Sequence, residues 1–304
     1  MRCRQWKAHS MRNTFIQELV SLAERHDHIA LIVGDLGYSV VEPFADRFPE
    51  RFINAGVAEQ NMTGLAAGMA SEGYHVFTYS IANFPTFRCA EQIRNDIDYH
   101  GLPVTVVSIG GGLAYGALGY SHHAVQDYAL MRSFPNMLIA APGDPMEVRA
   151  CMRYLVTNPQ PSYLRLGKTG EPTFHKDMIN PTPGVWQCVV APEVGSDSVY
   201  LCTGATMEYS MEQRVKQSEP RPGVYSLPLW GMQSKQSQRV QLGRFSKVTT
   251  LEDHLHDGGF GSWLLESAVG DGELVTRISM RALASVVCGM VGSQKELNLR
   301  GGLT

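Results

Sequence analysis

Short apolar runs recur along the first half of the chain, at residues 29–33, 74–79, 103–108, 137–141 and 162–166, with helix-periodic stretches between them. Nearly continuous apolar runs of this length suit strands buried on both faces. Their alternation with helices predicts an α/β fold, a mostly parallel sheet covered by helices on both faces. Between about 169 and 196 the pattern lapses into Thr, Pro and Gly, and a second series follows at 198–203, 223–227, 247–251 and 274–279. We place a boundary near residue 185. This gives a first domain at 11–185 and a second at 186–304, the latter about 120 residues and long enough for its own α/β core. Residues 1–10 (MRCRQWKAHS) are basic and patternless, and are expected to be a disordered extension or to precede the native start.

Composition narrows the function classes. The 304 residues fit two domains without disulfides or metals as staples. Lys and Arg total 26 against 29 Asp and Glu, a net charge of −3 that offers no overall field for nucleic acid or anionic lipid. Six scattered cysteines with no C-x-x-C pair read as free thiols in a reducing compartment, hence a cytoplasmic protein. The uncharged stretch 99–126 carries three histidines and a glycine triplet, and is too polar to span a bilayer. Thirty glycines exceed the average share of about 7% and point to tight turns near a ligand or between elements.

The most informative segment is Asn54-Ala-Gly-Val-Ala-Glu59-Gln60-Asn61-Met62. A strand ends at Ile53, glycine turns the chain, and Glu59 opens a helix whose small residues Gly64, Ala66, Ala67, Gly68 and Ala70 permit close packing. Taken alone, Glu59 does no more than complement the helix dipole. Phe84 and Phe87 follow a strand that ends near Ser80, so two aromatic rings leave the carboxyl end of a sheet strand, where α/β ligand sites form. Such rings serve equally well as core.

Several local matches occur in one order. They are Gly34-Asp35-Leu36-Gly37-Tyr38-Ser39, Ala58-Glu59-Gln60-Asn61, the Phe84/Phe87 pair, Tyr120-Ser121-His122-His123, and Phe134-Pro135-Asn136 through Pro142-Gly143-Asp144. Leu251-Glu252-Asp253-His254 with Gly258-Gly259-Phe260-Gly261, and Gly292-Ser293-Gln294 with Glu296-Leu297, continue the series. Together they resemble the pyrimidine-binding and C-terminal domains of the transketolase family, over nearly all of residues 11–304.

The resemblance implies thiamine diphosphate as cofactor. Its thiazolium carbon is deprotonated by its own aminopyrimidine once a carboxylic acid hydrogen-bonds the opposite ring nitrogen, the role implied for Glu59. Phe84 and Phe87 would stack against and flank the pyrimidine. The reaction implied is transfer of a ketol or acyl fragment to a sugar-type carbonyl acceptor. Arg12, Ser39 and Lys168 fall where the family binds a sugar phosphate, Lys168 replacing the usual Arg. His122 stands at the His of the family's T-H-Q and would bond to or exchange protons with the bound ketol, with His123 at the Gln position. Surface, capping or satisfied loop roles are the plain alternatives for all five. The family's donor-hydroxyl Asp becomes Leu118, and an upstream phosphate-binding His becomes Gly110. Residues 110–120 are thus expected to form an apolar, flexible loop, which favours a modified sugar, a nucleotide-linked keto-sugar or a small 2-oxoacid over ordinary sugar phosphates.

The family holds the diphosphate through Mg²⁺ on a strand–GDG–helix element in another domain. Gly270-Asp271-Gly272 occurs here, with Asn298 after 25 intervening residues, but it sits between a helical run and the expected strand at 274–279, which inverts the context. No metal ligand is therefore assigned to this chain. The diphosphate and Mg²⁺ element is expected on another polypeptide, making this the C-terminal subunit of a split transketolase in a heterotetramer of two plus two chains. The alternatives are the β subunit of a 2-oxoacid dehydrogenase and a non-catalytic scaffold or regulatory paralogue.

Overall fold

The computed structural model describes residues 10–168 and 170–303. The extension expected at 1–10 lies outside them except for Ser10. That residue is buried, and its hydroxyl accepts from the Asn13 amide to cap helix α1 (Met11–Ala23).

Six of the seven strands of the first sheet come from the first half of the chain. They are β1 (Ile29–Val33), β2 (Phe52–Asn54), β3 (His75–Ile81), β4 (Val104–Ile109), β5 (Leu138–Ala140) and β6 (Ser162–Leu166). The second half supplies β7 (Gln187–Val190), β8 (Ser198–Cys202), β9 (Gly223–Ser226), β10 (Leu229–Gly231), β11 (Lys247–Leu255) and β12 (Ile278–Leu283). The seven-stranded order is β10-β5-β6-β4-β3-β1-β2 and the five-stranded order is β12-β11-β8-β9-β7. All pairings are parallel except β10 on β5 and β7 on β9. The α/β architecture with two mostly parallel sheets is thus present, with one addition. Strand β10 crosses back to extend the first sheet, so the second half of the chain helps build the first layer.

Strand periodicity sorts the core. Ile29, Leu31 and Val33 face one side of the sheet with Phe77, Tyr79, Val107, Ile109, Leu164 and Leu166. Ala30 and Ile32 face the other with Val76, Val104, Val106 and Tyr163, and that second face runs on into Leu201, Trp230, Phe260 and Trp263. Helix α1 covers the first face through Phe15 and Leu19, each fully buried and contributing roughly 1.5–3 kcal/mol of transfer free energy. Helix α3 (Glu59–Ser71) covers the second through Met62, Ala66 and Ala70. Between these two helices in sequence, α2 (Glu42–Arg47) anchors through buried Phe44.

One strand expectation is corrected. Residues 274–279 are not a strand: Asp271 accepts from the Leu274 amide and caps a short helix at Gly272–Thr276, so β12 starts only at Ile278. A local side-chain cap outweighed the β-branched composition there. The Gly270-Asp271-Gly272 segment therefore joins two helices, and Asn298 donates to the Tyr209 hydroxyl at 2.7 Å. Among the described residues, no group of three His, Cys, Asp or Glu side chains is placed to hold a metal, the five cysteines are unpaired, and no helix is long and apolar enough to cross a membrane.

Candidate functional site

The parallel strands of the first sheet bring their carboxyl ends to one edge, where open α/β sheets form ligand crevices. β2 leads to Glu59, β3 to Phe84, β4 to the loop from Gly110, and β6 to Lys168. After β2 the backbone turns at Gly56, with φ +71°, and enters α3 with Glu59 as its first residue. Glu59 is 3% exposed. Its Oε2 accepts from Nη1 of Arg88 at 3.0 Å, and its Oε1 is buried with no partner. A carboxylate that merely complemented the helix dipole would sit in solvent; this one turns inward with half its acceptor capacity unmet, which costs roughly 1–3 kcal/mol. It borders a cavity of about 430 Å³ lined by Val57, Ala58, Glu59, Gln60, Asn61 and Arg88.

Phe84 opens the short helix α4 (Phe84–Phe87). Its ring carries the Arg88 guanidinium 4.1 Å above the centroid and meets the His122 ring edge-on at 5.1 Å. Arg88 is a member of this contact group that sequence reasoning missed. The available signal was an Arg four residues after an aromatic, where helical geometry brings i and i+4 together. His122 bonds through Nδ1 to the Ser121 hydroxyl at 3.0 Å and lies 6.4 Å from the Tyr115 ring. Lys168 Nζ stands 4.5 Å over that same ring. Burial raises the Tyr115 phenol, with the charge of nearby Arg12 opposing the shift. Arg12 is half-buried and its Nε is enclosed without a partner. A continuous set of contacts therefore runs Glu59, Arg88, Phe84, His122, Tyr115, Lys168, with Arg12 acting on Tyr115.

Three expected site residues stand apart. Phe87 is 45% exposed and makes no ring contact among the described residues. Ser39, with φ +64°, donates its backbone amide to Glu42 at 2.7 Å, and no hydrogen bond or ion pair ties it to the Tyr115 group. His123 is buried, with Nε2 at 3.5 Å from the Gly116 carbonyl, and desolvation pushes its imidazole below the ordinary value. It packs the loop instead of facing the crevice.

The glycine loop also differs from its expected character. A side chain at Gly110, φ +81°, would collide with the Tyr115 ring, which fills the room left there. One at Gly111 would strike the Arg165 guanidinium, and one at Gly112, φ +65°, the Asp253 carboxylate. The loop is glycine-rich because it lies directly on a buried ion cluster: Arg165 bonds Asp127 at 2.6 Å and Asp253 at 2.5 Å. Leu118, by contrast, is 57% exposed at the rim.

Comparisons with known proteins show the family. Residues 7–171 match the family model described as transketolase, pyrimidine binding domain. The chain is 30% identical to a putative transketolase C-terminal section of Methanocaldococcus jannaschii, over 94% of this chain and 90% of that one. It is 29% identical to one subunit of the apulose-4-phosphate transketolase of Phocaeicola vulgatus, over 84% of this chain and 82% of that one. A solved split-gene transketolase, an inactive β4 tetramer, superposes with a TM-score of 0.83 at 28% identity, covering 98% of this chain and 95% of its own. The fold is that of a split transketolase chain, with the pyrimidine-binding domain over residues 7–171. The chain belongs to the transketolase family of thiamine diphosphate-dependent transferases, and corresponds to the C-terminal part that split members carry as a separate subunit.

Proposed function

We propose that this chain completes a thiamine diphosphate site with a separate subunit that carries the diphosphate and Mg²⁺ element, two copies of each chain forming a cytoplasmic heterotetramer. The observation that carries the reading is the orphaned, buried Oε1 of Glu59, linked through Arg88 to the Phe84 ring. That pairing fits an aminopyrimidine, which offers a flat face to stack and a ring nitrogen to bond. Bound there, the cofactor supplies a thiazolium carbon nucleophile for ketol or acyl transfer.

The remaining roles belong to the chain. Glu59 holds a proton at the pyrimidine ring nitrogen, and Phe84 fixes the ring plane, with exposed Phe87 proposed as the outer flank. His122, against Phe84, sits where it would bond the substrate's reacting carbonyl or hydroxyl. Arg12 and Lys168 converge on Tyr115 and would hold an anionic group on a carbohydrate substrate, as a phosphate ester presents. That cationic pair supports an anionic substrate, which a sugar phosphate and the nucleotide-linked keto-sugar or 2-oxoacid favoured by Leu118 and Gly110 would each supply.

The test is reconstitution with a subunit bearing a strand–GDG–helix element, followed by thiamine diphosphate titration and a donor screen. Glu59→Gln is expected to lower turnover by about 10²-fold or more while the assembled mass is unchanged. Full turnover by that variant would sink the reading and favour a scaffold; transfer to a lipoyl acceptor would instead favour a 2-oxoacid dehydrogenase subunit.

A further inference from the structure

The Arg88 guanidinium occupies two interactions at once, the face of Phe84 at 4.1 Å and Oε2 of Glu59 at 3.0 Å. The Phe84 ring is a partner that the proposed function also gives to an aminopyrimidine, and the carboxylate is shared, Arg88 holding Oε2 while Oε1 stays open for the ring nitrogen. A guanidinium shares the relevant chemistry of that ring, being flat, delocalised and edged with N–H donors, able to stack on an aromatic while bonding a carboxylate. We propose that Arg88 is a cofactor-site residue that stands in for the aminopyrimidine in the free subunit and is displaced when the cofactor enters. The inference rests on the thiamine diphosphate reading of the site.

Three observations carry it. Arg88 is about half exposed, its side chain borders the same cavity as Glu59, and among the described residues its hydrogen bonding is to Glu59 alone, so besides that bond only the Phe84 face holds it. Glu59 is 3% exposed, so without Arg88 the free chain would bury an unpaired carboxylate. The Phe84 face that Arg88 covers cannot also take a stacked pyrimidine, so a cofactor that stacks on that face displaces the guanidinium. The arginine therefore keeps the half-site folded until the second subunit and cofactor arrive, and its departure is part of what cofactor binding must overcome.

Two measurements on Arg88→Ala and Arg88→Lys test this. In the free chain, Arg88→Ala is expected to lower the melting temperature at neutral pH, and the loss should vanish when Glu59 is also changed to Gln. In the complex with the diphosphate-domain subunit, calorimetric titration with thiamine diphosphate and Mg²⁺ should show Arg88→Ala binding the cofactor roughly 3- to 10-fold more tightly, the worth of one half-exposed ion pair and one cation–π contact. Arg88→Lys should fall between, because it keeps the charge and loses the planar stack. Unchanged or weaker cofactor binding by Arg88→Ala overturns the proposal while the cofactor reading stands. Absence of binding by the unsubstituted complex overturns that reading as well.

Discussion

Arg165 on β6 and Asp253 on β11 meet at 2.5 Å, joining the two sheets through a pair that is only 2% exposed on either side. Asp127 bonds the same guanidinium at 2.6 Å, and the Tyr128 ring lies 4.3 Å beneath it. Such a cluster adds little over an apolar one of equal volume, but losing one member leaves a buried charge without its counterion. Asp253→Ala is expected to cost about 3–5 kcal/mol in urea-induced unfolding. A loss below about 1 kcal/mol would show that water or a neighbour replaces the carboxylate.

The loop over that cluster gives a second expectation. Gly112 has φ +65° and its missing side chain would point into Asp253. Gly112→Ala combines backbone strain with a clash against a buried charge, and should destabilise the fold by about 2 kcal/mol or more. Gly64→Ala, on the open face of α3 where nothing lies within 4 Å, should be neutral or stabilising by about 1 kcal/mol through helix propensity. Equal melting temperatures for the two variants would contradict the close-packed loop.

Phe84 and Phe87 separate by position. Phe84 is half-buried and contacts Arg88 and His122, whereas Phe87 is exposed. Phe84→Ala should weaken cofactor binding by the stacking contribution of roughly 1 kcal/mol or more, about five- to tenfold in Kd. Phe87→Ala, at the exposed outer flank, should weaken cofactor binding less than Phe84→Ala does. Titration of both variants in the reconstituted complex checks this, and a reversed order would exchange their roles.

His75 supplies a pH expectation that is independent of the site. It is buried against the Phe77 ring at 4.8 Å and bonds the Thr105 hydroxyl at 2.9 Å; burial pushes its imidazole down to about 4, with the charge of His28 adding to the shift. Between that value and the ordinary 6.5 the unfolded chain binds a proton that the folded chain refuses. Stability is therefore intact above pH 6.5 and falls as pH drops toward 4, by about 3 kcal/mol at most from this group. His75→Phe should flatten the slope in that window when unfolding is followed by circular dichroism. An unchanged slope would assign the acid sensitivity elsewhere.

Much of this molecule was legible in one dimension. Strands buried on both faces declare themselves as apolar runs, so β1, β3, β4 and β6 were read within a residue or two. Phe84 was singled out because it follows a strand end, where ligand crevices open, and Glu59 because its segment resembles the family's A-E-Q stretch. The helix at Gly272–Thr276 was misread because a single Asp cap decided it. Arg88, Tyr115 and Arg165 were not found. An isolated cation or aromatic carries no periodicity, and its meaning depends on which distant side chain it meets.

The sequence by itself determined the layers and the family, because local burial and short motifs are written in consecutive residues. Only the tertiary structure decided that β10 returns to the first sheet, that the glycines cover an ion cluster, and that Arg88 lies between Glu59 and Phe84. These are contacts between side chains or strands brought together by packing. Their energies depend on desolvation and ångström-scale geometry, which composition and spacing do not record.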